Sequence, residues 1–441
     1  MMTKLYKPSK YNLIQTNEDG ETYIANGLYN TEFKFNKEVR KEILDTFNKN
    51  KIENNSNLTE TLINNNFLID IENDEILIAD FKYNKLAYHS DVLKLTIIPT
   101  NSCNLKCVYC YETEGKGFLS LKNCDAIIKF IRKNINKYNG VLINFFGGEP
   151  LIGYNSIIYL MERLNILVKK FNKILIAGMT TNGVLLTKDK LENLIKNNVL
   201  YYQITLDGSK EYHDMSRPSK NKLISSFDAI YNNLIHAKIL KRHFGIIIRM
   251  NVLYQNMEQV LKFIPLLKKD FFDDRRFALQ VQDVRDWGGE VVKAIEVHSL
   301  EEYQTFLDRI LDMDIDPFGT INTISDFSSI CDAGNVNSFF IDYDLTVRRC
   351  SIPIYDQNKH AEYNNIGKLD FDGNMDLDDF KFSKWIERGQ VSEDCYDCKY
   401  YPLCFSSSCP YAYLIKNKKN CEDIKFYVNY KMKYWSKRIK V

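Results

Sequence analysis

Between residues 92 and 283 short apolar runs alternate with amphipathic segments, and this rhythm restricts the fold more than any other feature of the chain. Leu93–Ile98, Val141–Phe146, Ile174–Met179, Tyr201–Leu206, Gly245–Val252 and Phe277–Gln282 read as strands. Leu121–Tyr138, Asn155–Phe171, Lys188–Lys196, Leu223–Ile239 and Met257–Lys268 read as the helices between them. A strand that returns parallel to its predecessor through a helix makes a right-handed βαβ unit, so an α/β fold with a parallel sheet is expected. Six such strands are fewer than the eight that close a barrel, which predicts an open, partial (β/α)6 barrel. Active residues are then expected at the C-terminal ends of the strands.

The flanking segments have other patterns. Tyr11–Asn17 and Glu21–Asn26 read as a hairpin around Asp19-Gly20. Lys37–Asn48 and Leu58–Asn65 read as helices, and Phe67–Ile71 and Glu75–Ile78 look extended. Residues 1–90 therefore predict a small winged-helix-like module, residues 91–300 the barrel, and 301–330 a connecting helix with Tyr303, Phe306, Ile310 and Leu311 apolar. Residues 331–441 show little periodicity, so metal rather than a large apolar core is expected to organise them.

Composition narrows the class. At ~150 residues per domain, 441 residues suggest two to four domains. A net charge of +2 supplies no basic field for nucleic acid. No apolar run approaches the roughly 20 residues that span a bilayer, and Met1–Tyr11 lacks an apolar signal core. A cytoplasmic protein with reduced thiols and no membrane or nucleic-acid partner is expected.

There are 11 cysteines, too few for a disulfide scaffold, and most fall in two groups. Cys103-x3-Cys107-x2-Cys110 follows the first barrel strand; Cys331, Cys350, Cys395, Cys398, Cys404, Cys409 and Cys421 lie near the C-terminus. Three thiolates on one short loop can grip three corners of a cubane iron–sulfur cluster and leave the fourth iron open to a small molecule. The alternative is zinc, but structural zinc takes four ligands and no His stands near the first group. Cys124 is different: with Ile127, Ile128, Ile131 and Ile135 it forms a helical core stripe and reads as an inert buried thiol.

Cys103–Cys110, with Tyr109 before the last cysteine, resembles the signature loop of the radical S-adenosylmethionine (SAM) superfamily. Gly147-Gly148-Glu149-Pro150, at the end of the second strand, is similar to that family's glycine-rich motif at the amino group of SAM. Glycines let backbone approach a ligand closely, and Glu149 or nearby carbonyls can accept from an ammonium. By the same resemblance, Thr181, Asn182, Thr205, Asp207, Arg249 and Asn251 hold the carboxylate and ribose of SAM. For Thr181, Asn182 and Asp207 helix capping is the plainer alternative. His213-Asp214 and Arg217 resemble the family's segment after strand four, where His213 reads as a structural hydrogen-bonding residue.

The C-terminal cysteines resemble a SPASM domain with two auxiliary clusters, making three [4Fe-4S] clusters in all. The resemblance assigns Cys395, Cys398, Cys404 and Cys421 to one auxiliary cluster and Cys331, Cys350 and Cys409 to the other. Phe405–Ser408 puts four residues where relatives usually have three, and Asp332–Arg349 holds no further cysteine. Seven cysteines leave one auxiliary iron open or bound by an oxygen ligand such as Asp332.

The three parts together resemble maturases of ribosomally made peptides (RiPPs), of the sactipeptide and ranthipeptide type. The resemblance implies leader-peptide recognition by residues 1–90, and an electron donor such as flavodoxin or ferredoxin. It also implies a 5′-deoxyadenosyl radical that abstracts hydrogen from a peptide carbon, which is then joined to a cysteine sulfur as a thioether. The alternatives are carbon–carbon or carbon–oxygen crosslinking, formylglycine formation as in anaerobic sulfatase-maturating enzymes, and a non-catalytic iron–sulfur peptide-binding scaffold.

Overall fold

A computed structural model of the chain describes residues 4–112, 114–284, 299–319, 330–352, 359–387, 391, 393–405, 409–415 and 421–438. The chain divides into two compact units, one of Met1–His89, Ile321–Val336 and Trp385–Val441, the other of Ser90–Thr320 and Asn337–Lys384.

The first unit begins with β1 (Leu5–Pro8), β2 (Asn12–Thr16), β3 (Thr22–Asn26), β4 (Thr31–Phe35), α1 (Arg40–Phe47), β5 (Ile52–Glu53), α2 (Asn57–Asn64), β6 (Leu68–Asp70) and α3 (Glu75–Tyr88). Two antiparallel sheets result, ordered β2-β3-β4 and β5-β1-β6. The expected hairpin is present: Asn17 N donates to Glu21 O (3.1 Å), and Gly20 adopts φ +84°, which glycine takes without a steric penalty. The extended reading of Glu75–Ile78 is corrected, because these residues open α3. Asp74 caps that helix, accepting from Ile76 N and Leu77 N, and Glu75, Ala79, Tyr83 and Ala87 form a buried stripe at four-residue spacing. A four-residue window of Glu-Ile-Leu-Ile is too short to show that period.

In the second unit the rhythm is as expected, with bounds that coincide or shift by up to four residues. It runs through β7 (Val92–Ile97), α4 (Leu121–Asn134), β8 (Gly140–Phe145), α5 (Tyr154–Lys170), β9 (Ile174–Thr181), α6 (Lys188–Lys196) and β10 (Val199–Thr205). The short α7 (Lys210–Ser216), α8 (Ser226–Ile239), β11 (Gly245–Val252), α9 (Met257–Phe271), β12 (Phe277–Asp283) and α10 (Leu300–Asp312) complete it. β7 to β12 pair in chain order, all parallel, and the sheet stays open. Alternate strand residues such as Leu93, Leu95 and Ile97 are buried, and Cys124, Ile127, Ile131 and Ile135 of the following helical segment are 0% exposed. Burying one such aliphatic side chain contributes about 1.5–3 kcal/mol. Cys124 is thus a core residue, its Sγ directed at Ser156 O.

The expectation of little regular structure after residue 331 is corrected, for the strands of residues 338–377 and for the helices that follow them. β13 (Ser338–Ile341) pairs parallel with β7, and β14 (Thr346–Arg348), β15 (Asn365–Leu369) and β16 (Met375–Leu377) extend the sheet as an antiparallel meander. Strands of three to five residues are too short to announce a period in sequence. Here burial decides: Phe339, Phe340, Ile341 and Val347 enter the core, and Phe339 meets Phe130 of α4 edge-on at 6.2 Å.

The first unit is completed by the short helices α12 (Glu393–Tyr396), α13 (Tyr401–Cys404) and α14 (Pro410–Leu414), and by α15 (Cys421–Arg438), while α11 (Asp379–Ile386) crosses the division between the units. Aromatic packing ties these segments to residues 1–89: Tyr11 to Tyr401 (6.4 Å between ring centres), Tyr83 to Phe405 (5.5 Å) and Tyr23 to Trp435 (6.5 Å). The Tyr401 hydroxyl donates to Asp80 (2.8 Å), and a Cβ on Gly27 would lie 2.7 Å from Leu403 Cγ. Among the described residues no helix is long and apolar enough to cross a membrane.

Candidate active site

The cysteine loop leaves the C-terminal end of β7 and is held on two sides by backbone. On one side Lys106 N donates to Pro218 O (2.9 Å), Val108 N to Ser216 O (2.9 Å) and Lys220 N to Asn104 O (3.0 Å). The segment after α7 therefore runs antiparallel to residues 104–108. On the other side Ser102 Oγ donates to Gly115 O and Thr100 Oγ1 to Gly117 O, each at 2.6 Å. Residues 216–220 and 115–117 thus hold the loop from both sides.

The glycine motif braces the same loop. Gly148 N donates to Thr100 O (3.2 Å) and Glu149 N to Ser102 O (2.9 Å). A Cβ on Gly148 would stand 2.5 Å from Ser102 O, so only glycine permits this approach. Glu149 is fully buried and accepts from Leu151 N (2.9 Å), Thr181 Oγ1 (2.7 Å) and Asn182 N (2.8 Å). Its carboxylate ties the β8 end to the β9 end. Burial pushes the Glu149 pKa up, and these hydrogen bonds pull it back. Pro150 starts the turn that leads into α5.

Strand register aligns the remaining predicted residues. Ile204 is level with Thr181, and Thr205 with Arg249, so the ends of β9, β10 and β11 form one rim. Asn182 Nδ2 donates to Asn104 Oδ1 (2.7 Å) and lies 3.8 Å from Cys103 Sγ. Asp207 is fully buried; it accepts from Asn251 N (2.8 Å) and from the Tyr109 hydroxyl. That hydroxyl also accepts from Arg217 Nη1 (2.7 Å) and Asn251 Nδ2 (3.1 Å). Arg249 Nε donates to Asn251 Oδ1 (3.0 Å), and Asn256 Nδ2 to Asn251 O (3.0 Å). His213 Nδ1 accepts from Asp207 N (3.1 Å), which assigns its proton to Nε2. Burial, with Arg217 nearby, lowers the His213 pKa to about 3, so the ring is neutral.

The structure thus brings Cys103, Cys107, Cys110, Gly147, Gly148, Glu149, Thr181, Asn182, Thr205, Asp207, Arg249 and Asn251 to one end of the parallel sheet. Most of the polar groups among them already have protein partners. Tyr109, Arg217 and Asn256 form the centre of that network, and sequence reasoning gave none of them this role. Arg217 was only part of a resembling segment, and a lone arginine ahead of a proline carries no local signal of burial.

Burial pushes the Cys103 thiol up to about 11, and it raises Cys107 too, where Arg217 pulls back. Metal would have to draw off these protons. Among the described residues no three Cys, His, Asp or Glu side chains converge on a single ion. A cubane takes one thiolate per iron and needs no such convergence. The loop fits it on two grounds: three thiols on eight residues, and a buried Arg217 Nε with no partner among the described residues, free to face an anionic group.

Of the C-terminal cysteines, Cys331, Cys395, Cys398, Cys404, Cys409 and Cys421 lie in the first unit and Cys350 in the second. Cys395 and Cys398 share a turn, Cys398 N donating to Cys395 O (3.1 Å). The Cys331 turn abuts Pro410, which follows Cys409: a Cβ on Gly334 would lie 3.8 Å from Pro410 Cγ. Asn364, fully buried, clamps Cys350 through its N (2.9 Å) and O (2.7 Å). Tyr111, beside Cys110, shares a hydrogen bond with Ser351, beside Cys350. The spacer after Phe405 lies outside the described residues.

Comparison with known proteins agrees with this geometry. Residues 97–267 match the model of the radical SAM superfamily. The chain is 28% identical over 347 residues to a cysteine-type anaerobic sulfatase-maturating enzyme of Clostridium novyi, covering 71% of this chain and 87% of that protein. It is 29% identical over 196 residues to a GTP 3′,8-cyclase of Clostridium perfringens, covering 41% of this chain and 57% of that one. Among solved structures, native anSMEcpe with bound AdoMet superposes with a TM-score of 0.61 at 19% identity, over 79% of this chain and all of that one. Streptococcus suis SuiB bound to S-adenosylmethionine superposes with a TM-score of 0.52 at 15% identity, over 91% and 95%. The thiol loop at the end of β7 and the glycine brace after β8 both lie within residues 97–267, the stretch that is similar to the radical SAM superfamily.

Proposed function

We propose that the chain is a radical SAM maturase of a ribosomally made peptide, and that it joins cysteine sulfur to a carbon of that peptide as a thioether. The observation that carries the maturase reading is the combination of the barrel site with a cysteine-rich C-terminal region, across a chain that parallels a sulfatase-maturating enzyme over 87% of the latter's length. SuiB with its precursor peptide SuiA, at a TM-score of 0.50 over 91% of this chain, supports a peptide substrate.

Cys103, Cys107 and Cys110 would hold a [4Fe-4S] cluster, with SAM at its open iron. When bound, this pair supplies one-electron cleavage of SAM and a radical able to abstract hydrogen from carbon. The chain's own part is positional. Glu149 and the Gly147-Gly148 brace hold the loop against β8 and β9; Asp207 and Asn251 hold Tyr109 beneath it. The thioether reading draws on the count of seven C-terminal cysteines, one short of two closed sets. An open auxiliary iron could take a substrate thiolate and orient it. In this reading residues 1–90 bind the leader, an electron donor such as flavodoxin or ferredoxin delivers electrons, and the C-terminal cysteines carry two auxiliary clusters.

The Clostridium novyi relative favours one second reading, conversion of a cysteine to formylglycine. A single experiment separates the two. The anaerobically reconstituted protein is incubated with SAM, dithionite and a cysteine-containing peptide encoded beside its gene. 5′-Deoxyadenosine with a peptide that keeps its sulfur but no longer alkylates supports the thioether. A product that has lost sulfur and reacts with hydrazide establishes formylglycine, and absence of 5′-deoxyadenosine rejects both.

A further inference from the structure

Arg217 is 6% exposed, yet it has a charged group that stays protonated at any accessible pH. Burying such a group costs several kcal/mol unless its donors are used. Its Nη1 donates to the Tyr109 hydroxyl, and that hydroxyl is held in turn by Asp207 and Asn251. Its Nε is buried and has no partner among the described residues. The backbone shows where it stands. Lys106 N bonds Pro218 O and Val108 N bonds Ser216 O, which sets Cys107 directly opposite Arg217 across the antiparallel pair.

We infer that Arg217 is a positioning residue that stabilises the reduced state of the cluster held by Cys103, Cys107 and Cys110, its Nε–H donating to sulfur on the Cys107 side. The inference rests on that loop holding the cluster. Reduction adds one electron to an already anionic centre. A fixed cation and an N–H···S bond in a site of low dielectric favour the added charge and raise the potential. Tyr109 serves by aiming the guanidinium: with Nη1 tied to its hydroxyl, the Nε edge turns toward the thiolates. The place of Arg217 opposite Cys107 is a consequence of register.

The test is a dithionite titration with mediators, following the electron paramagnetic resonance signal that changes when SAM is added. In the Arg217→Gln chain the ratio of reduced to oxidised cluster at a fixed potential should fall about tenfold, a shift of ~59 mV for a one-electron couple. Arg217→Lys keeps the charge without the Nε–H and should fall between; Tyr109→Phe should shift in the same direction by less. Arg217→Gln with wild-type iron content and an unchanged midpoint overturns the inference. If that variant takes up no iron, Arg217→Lys is decisive, and a wild-type midpoint there overturns it. A wild-type chain without a SAM-responsive signal removes the cluster reading itself, an outcome distinct from an unchanged midpoint.

Discussion

The cysteine loop after β7 and the cysteine-bearing turns of residues 395–404 are built by different means. The first is pinned by directional bonds: from residues 216–220 on one side, from 115–117 on the other, and from the Gly147–Glu149 brace. The second packs on residues 1–89 through Tyr401, Leu403 and Phe405, with the Tyr401 hydroxyl donating to Asp80. Directional bonds specify position, whereas packing of rings supplies burial with less angular control. The barrel loop is thus placed by hydrogen bonds to segments on both sides of it, while ring packing adds burial to the C-terminal turns.

The largest effect should come from Cys107→Ala. SAM cleavage should disappear below detection of 5′-deoxyadenosine, while the urea midpoint changes less than in a core variant, because the bonds from residues 216–220 and 115–117 that hold the loop do not involve the thiol. A midpoint that falls as far as in a core variant would break the comparison. Next is Leu403→Ala, which empties the space facing Gly27 and should cost about 2–5 kcal/mol in chemical denaturation. It should also lower the affinity for any leader peptide, because residues 1–89 pack on the same segment. For that reason deletion of residues 1–89 is a poor test of leader binding: it would bare Tyr401, Phe405 and Trp435.

Gly148→Ala comes third. Its Cβ would press on Ser102 backbone at 2.5 Å, so about 1–3 kcal/mol of strain is expected, with weaker SAM retention in equilibrium dialysis. Unaltered SAM binding would show that the brace is not tight. The fourth, confined to acid pH, is the response of His213. Its folded pKa, about 3, lies below the ordinary 6.5, so the unfolded chain binds a proton that the folded one does not. The stability is therefore complete above pH 6.5 and falls as pH drops from there toward 3, by at most about 1.4 kcal/mol per pH unit. His213→Asn, measured in urea at pH 7 and pH 5, should lose that share of acid sensitivity.

The site was legible where its signal is local. Cys103–Cys110 and Gly147–Pro150 are short stretches whose residue types state their chemistry, and both stand where the strand reading put them. The network beneath them was not legible. Tyr109 is 98 residues from Asp207, 108 from Arg217 and 142 from Asn251, so no window of sequence contains the hydroxyl and its partners. Nor do the residue types of Gly147–Pro150 announce that the Glu149 carboxylate receives three protein donors, from Leu151, Thr181 and Asn182.

By itself the sequence determined the alternation of strands and helices, the open parallel sheet and the spacing of the thiols, because periodicity and turn chemistry act over a few residues. Tertiary structure alone decided three further matters. It added β13–β16 to the sheet, packed residues 385–441 with 1–89 into one unit, and set Arg217 opposite Cys107. Each of these depends on pairing between segments about a hundred or more residues apart. Such pairing is chosen by which apolar surfaces can be buried together and which buried polar groups then find partners, and neither quantity is written in any short stretch of the chain.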